Sequence, residues 1–223
     1  MEKTLAALVL TLVLSAPFSA ARAQRETAPA ETPQAAVPAV AAEIGKPAPD
    51  FSLADTDGKT RTLSSFKGKY VVLEWTNFDC PFVRKHYDSG NMQKLQETYT
   101  AKGVVWLRIC SSAEGKQGHY AAKDTAERIA KEKSMATAYL ADGSGEAGRL
   151  YGAKTTPHMF VVDTEGTLVY AGAIDDKPST KTDDVKGAAN YVAAALDAGL
   201  AGKPVEVKTS TPYGCSVKYA DKK

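Results

Sequence analysis

The stretch Tyr70-Val71-Val72-Leu73-Glu74-Trp75-Thr76-Asn77-Phe78-Asp79-Cys80-Pro81-Phe82 decides how this chain is read. Tyr70–Trp75 is a dense apolar run bounded by glycine and polar residues, the pattern of a buried strand. Pro81 suits the first turn of a helix, where its missing N–H has no partner to lose. Cys80 therefore stands where a buried strand hands over to a helix. A helix N-terminus presents unpaired N–H groups and the positive end of the dipole. Both favour a thiolate, and thiol pKa values there fall to about 3.5–7.5. The thiolate is the nucleophile, so the placement predicts a reactive sulfur. The competing reading is an inert cysteine buried at a strand end.

Outward from this stretch, strands and helices alternate. Before it, Ala48–Leu53 and Thr60–Thr62 read as short strands around the turn at Asp55–Lys59, and Ser64-Ser65 opens a single helical turn. After it, a helix from Pro81 breaks at Gly90-Asn91 and resumes through Met92, Leu95 and Tyr99. Val104–Cys110 is the next buried strand, Tyr120–Lys133 a polar helix, Ala138–Leu140 a short strand and Glu146–Tyr151 a short helix. Met159–Val162 and Leu168–Tyr170 form a hairpin around Thr164-Glu165-Gly166. Asp184–Leu200 reads as the last helix, with Val185, Ala188, Ala189, Val192 and Leu196 on one face. Early strands alternating with helices require a parallel pair with a crossover, and the closing hairpin makes the sheet mixed. The fold class is α/β, a mixed β-sheet flanked by helices.

The ends carry different information. An apolar run, Leu5–Leu14, precedes Pro17 and small residues ending in Ala21-Arg22-Ala23. That order predicts a secretory signal at 1–23, cleaved after Ala23, and a protein working in a periplasm or outside the cell. The run is shorter than the roughly 20 residues of a spanning helix, so no stable membrane insertion is expected once the signal is gone. Residues 24–43 are rich in Ala, Pro, Glu, Gln and Thr and read as a flexible linker. A globular domain follows at 44–202, and an irregular tail at 203–223 carries Cys215 in a Gly-flanked, mobile setting. The net charge of +2 points to neither nucleic acid nor an anionic surface.

Three cysteines stand at 80, 110 and 215. Export places them where disulfides persist, and the odd count leaves at least one free thiol or a pairing that changes during work. Their wide spacing argues against a structural zinc site, and neither a metal nor a cofactor is expected. Cys110, ending an apolar strand, has the profile of a core residue. Lys69, Lys85, Lys94 and the charges of Lys123–Lys133 read as solvated surface, and Lys116–His119 is a loop without an assigned role.

Three motifs together resemble a known superfamily. Leu73–Phe82 looks like the active-site strand and loop of the thioredoxin/peroxiredoxin superfamily. Tyr151-Gly152-Ala153-Lys154-Thr155-Thr156-Pro157-His158-Met159-Phe160-Val161-Val162-Asp163 resembles its cis-proline segment. Tyr213-Gly214-Cys215-Ser216-Val217-Lys218-Tyr219 resembles the end of one branch, the peroxiredoxin-like redoxins of the alkyl hydroperoxide reductase/thiol-specific antioxidant group. The resemblance implies a thioredoxin-like fold and a cis Thr156–Pro157 bond beside Cys80, with Thr76, Asn77, Thr156 and Pro157 positioning a substrate. It also places His158 near the site.

The chain departs from both relatives. Val83 stands where thioredoxins carry the second Cys of Cys-x-x-Cys, so Cys80 has no local partner. Asn77 stands where peroxiredoxins carry Thr, with Thr76 one residue earlier, and Thr155–Pro157 occupies the place of their Arg. Cys215 is the candidate resolving thiol. Arg84 is a candidate replacement for the missing charge, and Glu74 and His158 are candidate proton-transfer groups, each with an ordinary structural reading beside it. Three functions follow: a thiol-based oxidoreductase, a true hydroperoxide reductase with antioxidant activity, or a non-enzymatic binding module. The implied partners are a thiol/disulfide protein or a hydroperoxide as substrate, with an external thiol reductant.

Overall fold

A computed structural model describes residues 41–221, so the proposed signal and nearly all of the proposed linker lie outside the described residues. A seven-stranded sheet runs through the centre in the order β2-β1-β5-β4-β3-β7-β8. Its strands are β1 (Ser52–Asp55), β2 (Thr60–Thr62), β3 (Val71–Trp75), β4 (Val105–Cys110), β5 (Ala138–Ala141), β7 (His158–Val162) and β8 (Leu168–Gly172). β3, β4 and β5 are parallel neighbours, while β7, β8 and β1 pair antiparallel, giving the mixed sheet that the sequence predicts. This is a thioredoxin-like fold.

The helices are α1 (Pro81–Asp88), α2 (Asn91–Thr100), α3 (Ala122–Glu132), α4 (Glu146–Leu150) and α5 (Tyr191–Leu200). Strand alternation splits the apolar core over two faces. Val71, Leu73, Trp75, Leu107, Ile109 and Phe160 face the 42–66 segment and α4. Val72, Trp106, Met159, Val161 and Tyr170 face α1, α2 and α5. Full burial of side chains such as Val72 and Leu73 contributes roughly 1.5–3 kcal/mol each.

Three readings of the sequence are corrected. The first strand begins at Ser52 rather than Ala48, because Pro49 cannot donate to a ladder and Asp50 turns its carboxylate to the Phe51 and Ser64 amides. The last helix starts at Tyr191, where Asn190 caps it by accepting the Ala193 N–H at 2.8 Å; residues 182–185 form a separate 3-10 turn. The C-terminal segment is not a loose tail. Cys215–Ser216 form β9, which pairs antiparallel with β6 (Thr155–Thr156). Among the described residues no helix is long and apolar enough to cross a membrane.

Candidate active site

Cys80 is the N-cap residue of α1, in extended backbone, and its carbonyl accepts the Arg84 N–H at 2.9 Å. Its side chain has no exposed surface. The thiol donates to the Thr156 carbonyl at 2.9 Å, immediately before the cis Thr156–Pro157 bond. Two distant motifs thus meet at one sulfur, because β3 and β7 are adjacent and in register from Val71↔Val162 to Trp75↔His158.

Asn77 shapes the loop that carries the cysteine. Its Oδ1 accepts the Asp79 N–H at 2.9 Å, its backbone carbonyl accepts the Cys80 N–H at 3.1 Å, and its Nδ2 donates to the Gln117 carbonyl at 3.3 Å. Gly118 lies against the Asn77 amide at φ +92, where a side chain would overlap it. The 116–119 loop, unassigned by sequence, is therefore the support on which Asn77 rests. Tyr120 reinforces it by donating to Asp79 at 2.5 Å.

The structure brings Cys215 beside Cys80. Cys215 pairs with Thr156 across β6 and β9, and packs against the cluster that contains Cys80. Gly214 permits this approach: a side chain there would collide with the Thr156 carbonyl. Burial first, then hydrogen bonding with the Cys80 thiol, push the Cys215 thiol well above its ordinary value. All three cysteines are free thiols here. Cys110 lies apart in a small cluster with Phe78 and Tyr139, donating to the Gly118 carbonyl at 3.4 Å.

Several candidates stand elsewhere. Arg84 is 61% exposed and pairs with Asp88 at 3.5 Å, so it is a solvated helix residue rather than a charge at the sulfur. Thr76 points its hydroxyl to Arg108, which donates to it at 3.3 Å. The Thr156 hydroxyl is buried and has no hydrogen-bond partner among the described residues. His158 shares a face with Phe160, opposite to that of Cys80, and its Nδ1 accepts the Lys154 N–H at 3.3 Å. Burial, then the nearby Lys154 charge, push it down to about 4, leaving it neutral at pH 7. Glu74 is fully buried in the core. Trp106 donates to it at 2.9 Å, Tyr87 at 3.1 Å and Gln96 at 3.3 Å, and the Arg108 guanidinium stands 3.5 Å away. Those partners occupy it as a structural anchor; none of its hydrogen bonds reaches Cys80.

A family model described as the AhpC/TSA family matches residues 44–171. The chain belongs to the AhpC/TSA family. Within that family's fold, this AhpC/TSA protein is similar to a thiol-disulfide oxidoreductase ResA of Bacillus thuringiensis subsp. konkukian, 29% identical over 127 residues that cover 57% of this chain and 68% of the relative. It is also similar to two solved structures. One is a hypothetical protein of Sinorhizobium meliloti 1021, with TM-score 0.68, 26% identity, and coverage of 81% of this chain and 96% of that one. The other is an uncharacterized conserved protein of Geobacillus kaustophilus, with TM-score 0.69, 26% identity, and coverage of 81% and 94%. The family model ends at Ala171, so the segment that brings Cys215 beside Cys80 lies beyond it.

Sequence reasoning missed a second cluster at the site. Lys85 and His86 on α1 meet Asp175 and Tyr213, and the side chains of Lys85, His86 and Asp175 are at most 1% exposed. Lys85 read as surface because it lies opposite the Val83–Tyr87 stripe that faces the sheet. That outer side of α1 is covered by residues far along the chain.

Proposed function

We propose that this chain is a thiol-disulfide oxidoreductase in which Cys80 attacks and Cys215 resolves. The observation that carries the reading is the placement of Cys215 on β9, paired with Thr156, whose carbonyl accepts the Cys80 thiol. In the proposed cycle the Cys80 thiolate attacks one sulfur of a substrate disulfide, forming a mixed disulfide and releasing the other sulfur as a thiolate. Cys215 loses its proton and attacks Cys80, expelling the second substrate thiol and leaving a Cys80–Cys215 disulfide. Two electrons have passed to the substrate, and an external thiol reductant returns them. The name of the Bacillus thuringiensis relative supports thiol-disulfide chemistry.

The family match favours a second reading, hydroperoxide reduction. There Cys80 takes the terminal oxygen to become a sulfenic acid, the alcohol leaves, and Cys215 condenses with release of water. The solvated position of Arg84 speaks for the disulfide reading. A binding module that holds extended chains beside Pro157 would have to displace β9 from that edge. We propose further that the chain carries a signal at 1–23, a linker at 24–43, a redoxin domain at 44–202 and a functional C-terminal segment at 203–223, and is exported to a periplasm or beyond.

The test is intact mass after treatment with a small disulfide or dilute hydrogen peroxide, followed by alkylation without reductant. We expect a Cys80–Cys215 bridge, lost in Cys80→Ser. Thiols left unchanged by both oxidants would sink the enzymatic readings. Peroxide-consumption kinetics against the Cys80→Ser control separates the first reading from the second.

A further inference from the structure

The C-terminal segment is stitched to the domain on either side of Cys215. On one side Ser210 fits against Gly172, accepts the Ala173 N–H at 2.9 Å and bonds Tyr170 at 2.7 Å. On the other, the Val217 N–H donates to the Lys154 carbonyl, and Ala113 donates to the carbonyl of Lys218. Beyond these, the Tyr219 ring lies where side chains at Gly145 and Gly148 would stand, and its hydroxyl donates to Ala153 at 2.8 Å. Between the two anchors, Tyr213 and Cys215 pack against the cluster that holds Cys80, whose exposure is 0%. A sulfur that reacts with an outside partner requires this span to lift.

Tyr213 is the buried tie in that span. Its hydroxyl donates to Asp175 Oδ1. Lys85 Nζ donates to the Tyr213 oxygen at 3.3 Å, to Asp175 Oδ2 at 3.4 Å and to the Lys177 carbonyl at 2.6 Å. His86 completes the set. Asn91 donates to its Nδ1 at 2.9 Å, which leaves the ring proton on Nε2, 3.3 Å from the Tyr213 oxygen. Burial, then the hydrogen bond to Asp175, hold the Tyr213 hydroxyl protonated and therefore a donor. The ring leans on Phe82, two residues after Cys80. Lifting the span withdraws this hydroxyl from a carboxylate that has no exposed surface to turn to.

We propose that Tyr213, held by Asp175, Lys85 and His86, is a positioning residue that latches the C-terminal segment over Cys80 and sets how often that sulfur meets a partner. The proposal rests on Cys80 being the working thiol. A hydrogen bond to a charged group is worth about 10–100-fold in an opening equilibrium. When closing outpaces modification, the rate at which a buried thiol is alkylated follows its open fraction.

The test compares Tyr213→Phe with its parent, both carrying Cys215→Ser so that no Cys80–Cys215 disulfide forms. N-ethylmaleimide is added to the folded chains, and its incorporation at Cys80 and at Cys110 is followed by peptide mass. Cys110, 6% exposed in a separate cluster, reports general unfolding. We expect Cys80 to be modified about 10–100-fold faster in Tyr213→Phe, with Cys110 unchanged. A Cys80 gain less than tenfold beyond that of Cys110, including equal acceleration of both or of neither, overturns the latch. Alkylation reads access rather than oxidation. A chain that never forms the Cys80–Cys215 bridge can still show the latch, and one that forms it can lack the latch.

Discussion

Helix α1 has a buried polar cluster on each side, and the two are built differently. On the sheet side, Tyr87 joins Glu74, Gln96, Trp106 and Arg108. Every member comes from β3, β4, α1 or α2, and Arg108 extends it to Glu132 at 2.9 Å. On the outer side, Lys85 and His86 join Asp175 and Tyr213. The last of these comes from the segment that carries Cys215. The inner cluster cannot be opened without opening the core. The outer one is closed by a single side chain from a segment at the surface, so the same kind of buried charge serves stability on one side and access on the other.

The largest effect is expected from the inner cluster. Glu74→Gln keeps the shape but leaves the Arg108 guanidinium with less buried counter-charge, and breaking a buried pair typically costs about 3–5 kcal/mol. We expect a loss of that size in urea unfolding. Unchanged stability would mean that Glu132 alone balances Arg108, and that the inner cluster is no firmer than the outer.

Acid comes next and acts on the outer cluster. Burial, opposed by the Asp175 charge and aided by Lys85, holds His86 down to about 4. Its ordinary value is 6.5. The unfolded chain therefore binds the proton first as pH falls. The stability of the neutral form is complete above about pH 6.5 and is lost as pH drops toward 4, by roughly 3 kcal/mol for a shift of this size. His158 titrates in the same direction. Urea midpoints measured from pH 7 to pH 4.5 should fall, and His86→Gln should flatten about half of that slope. An unaltered slope in His86→Gln would assign the effect to His158 and carboxylates.

The smallest expected change lies at the thiols. Gly214→Ala puts a methyl group against the Thr156 carbonyl, at φ +139. Overpacking of this kind costs about 1–3 kcal/mol. The segment should take up the strain by moving, so oxidative formation of the Cys80–Cys215 bridge should slow markedly while the unfolding midpoint shifts little. Bridge formation at the parent rate would mean that β9 pairing with β6 does not place Cys215.

The strand that ends at Trp75, the helix that starts at Pro81 and the mixed sheet were legible in local periodicity, and the family in the resemblance of short motifs. The sequence by itself also singled out Cys215 as a partner, from its Gly-flanked tail and from the core profile of Cys110. Tertiary structure decided what surrounds the sulfur. Arg84 stands in solvent and Lys85, its neighbour, is fully buried, an inversion that no helical pattern on α1 can announce. The reason is that helical periodicity reports one apolar face toward the sheet, while the outer face of α1 is covered by Asp175 and Tyr213, some 90 and 128 residues away from Lys85. Burial of that second face is a property of the closed fold, and with it come the hidden Cys80, the placed Cys215 and the latch between them.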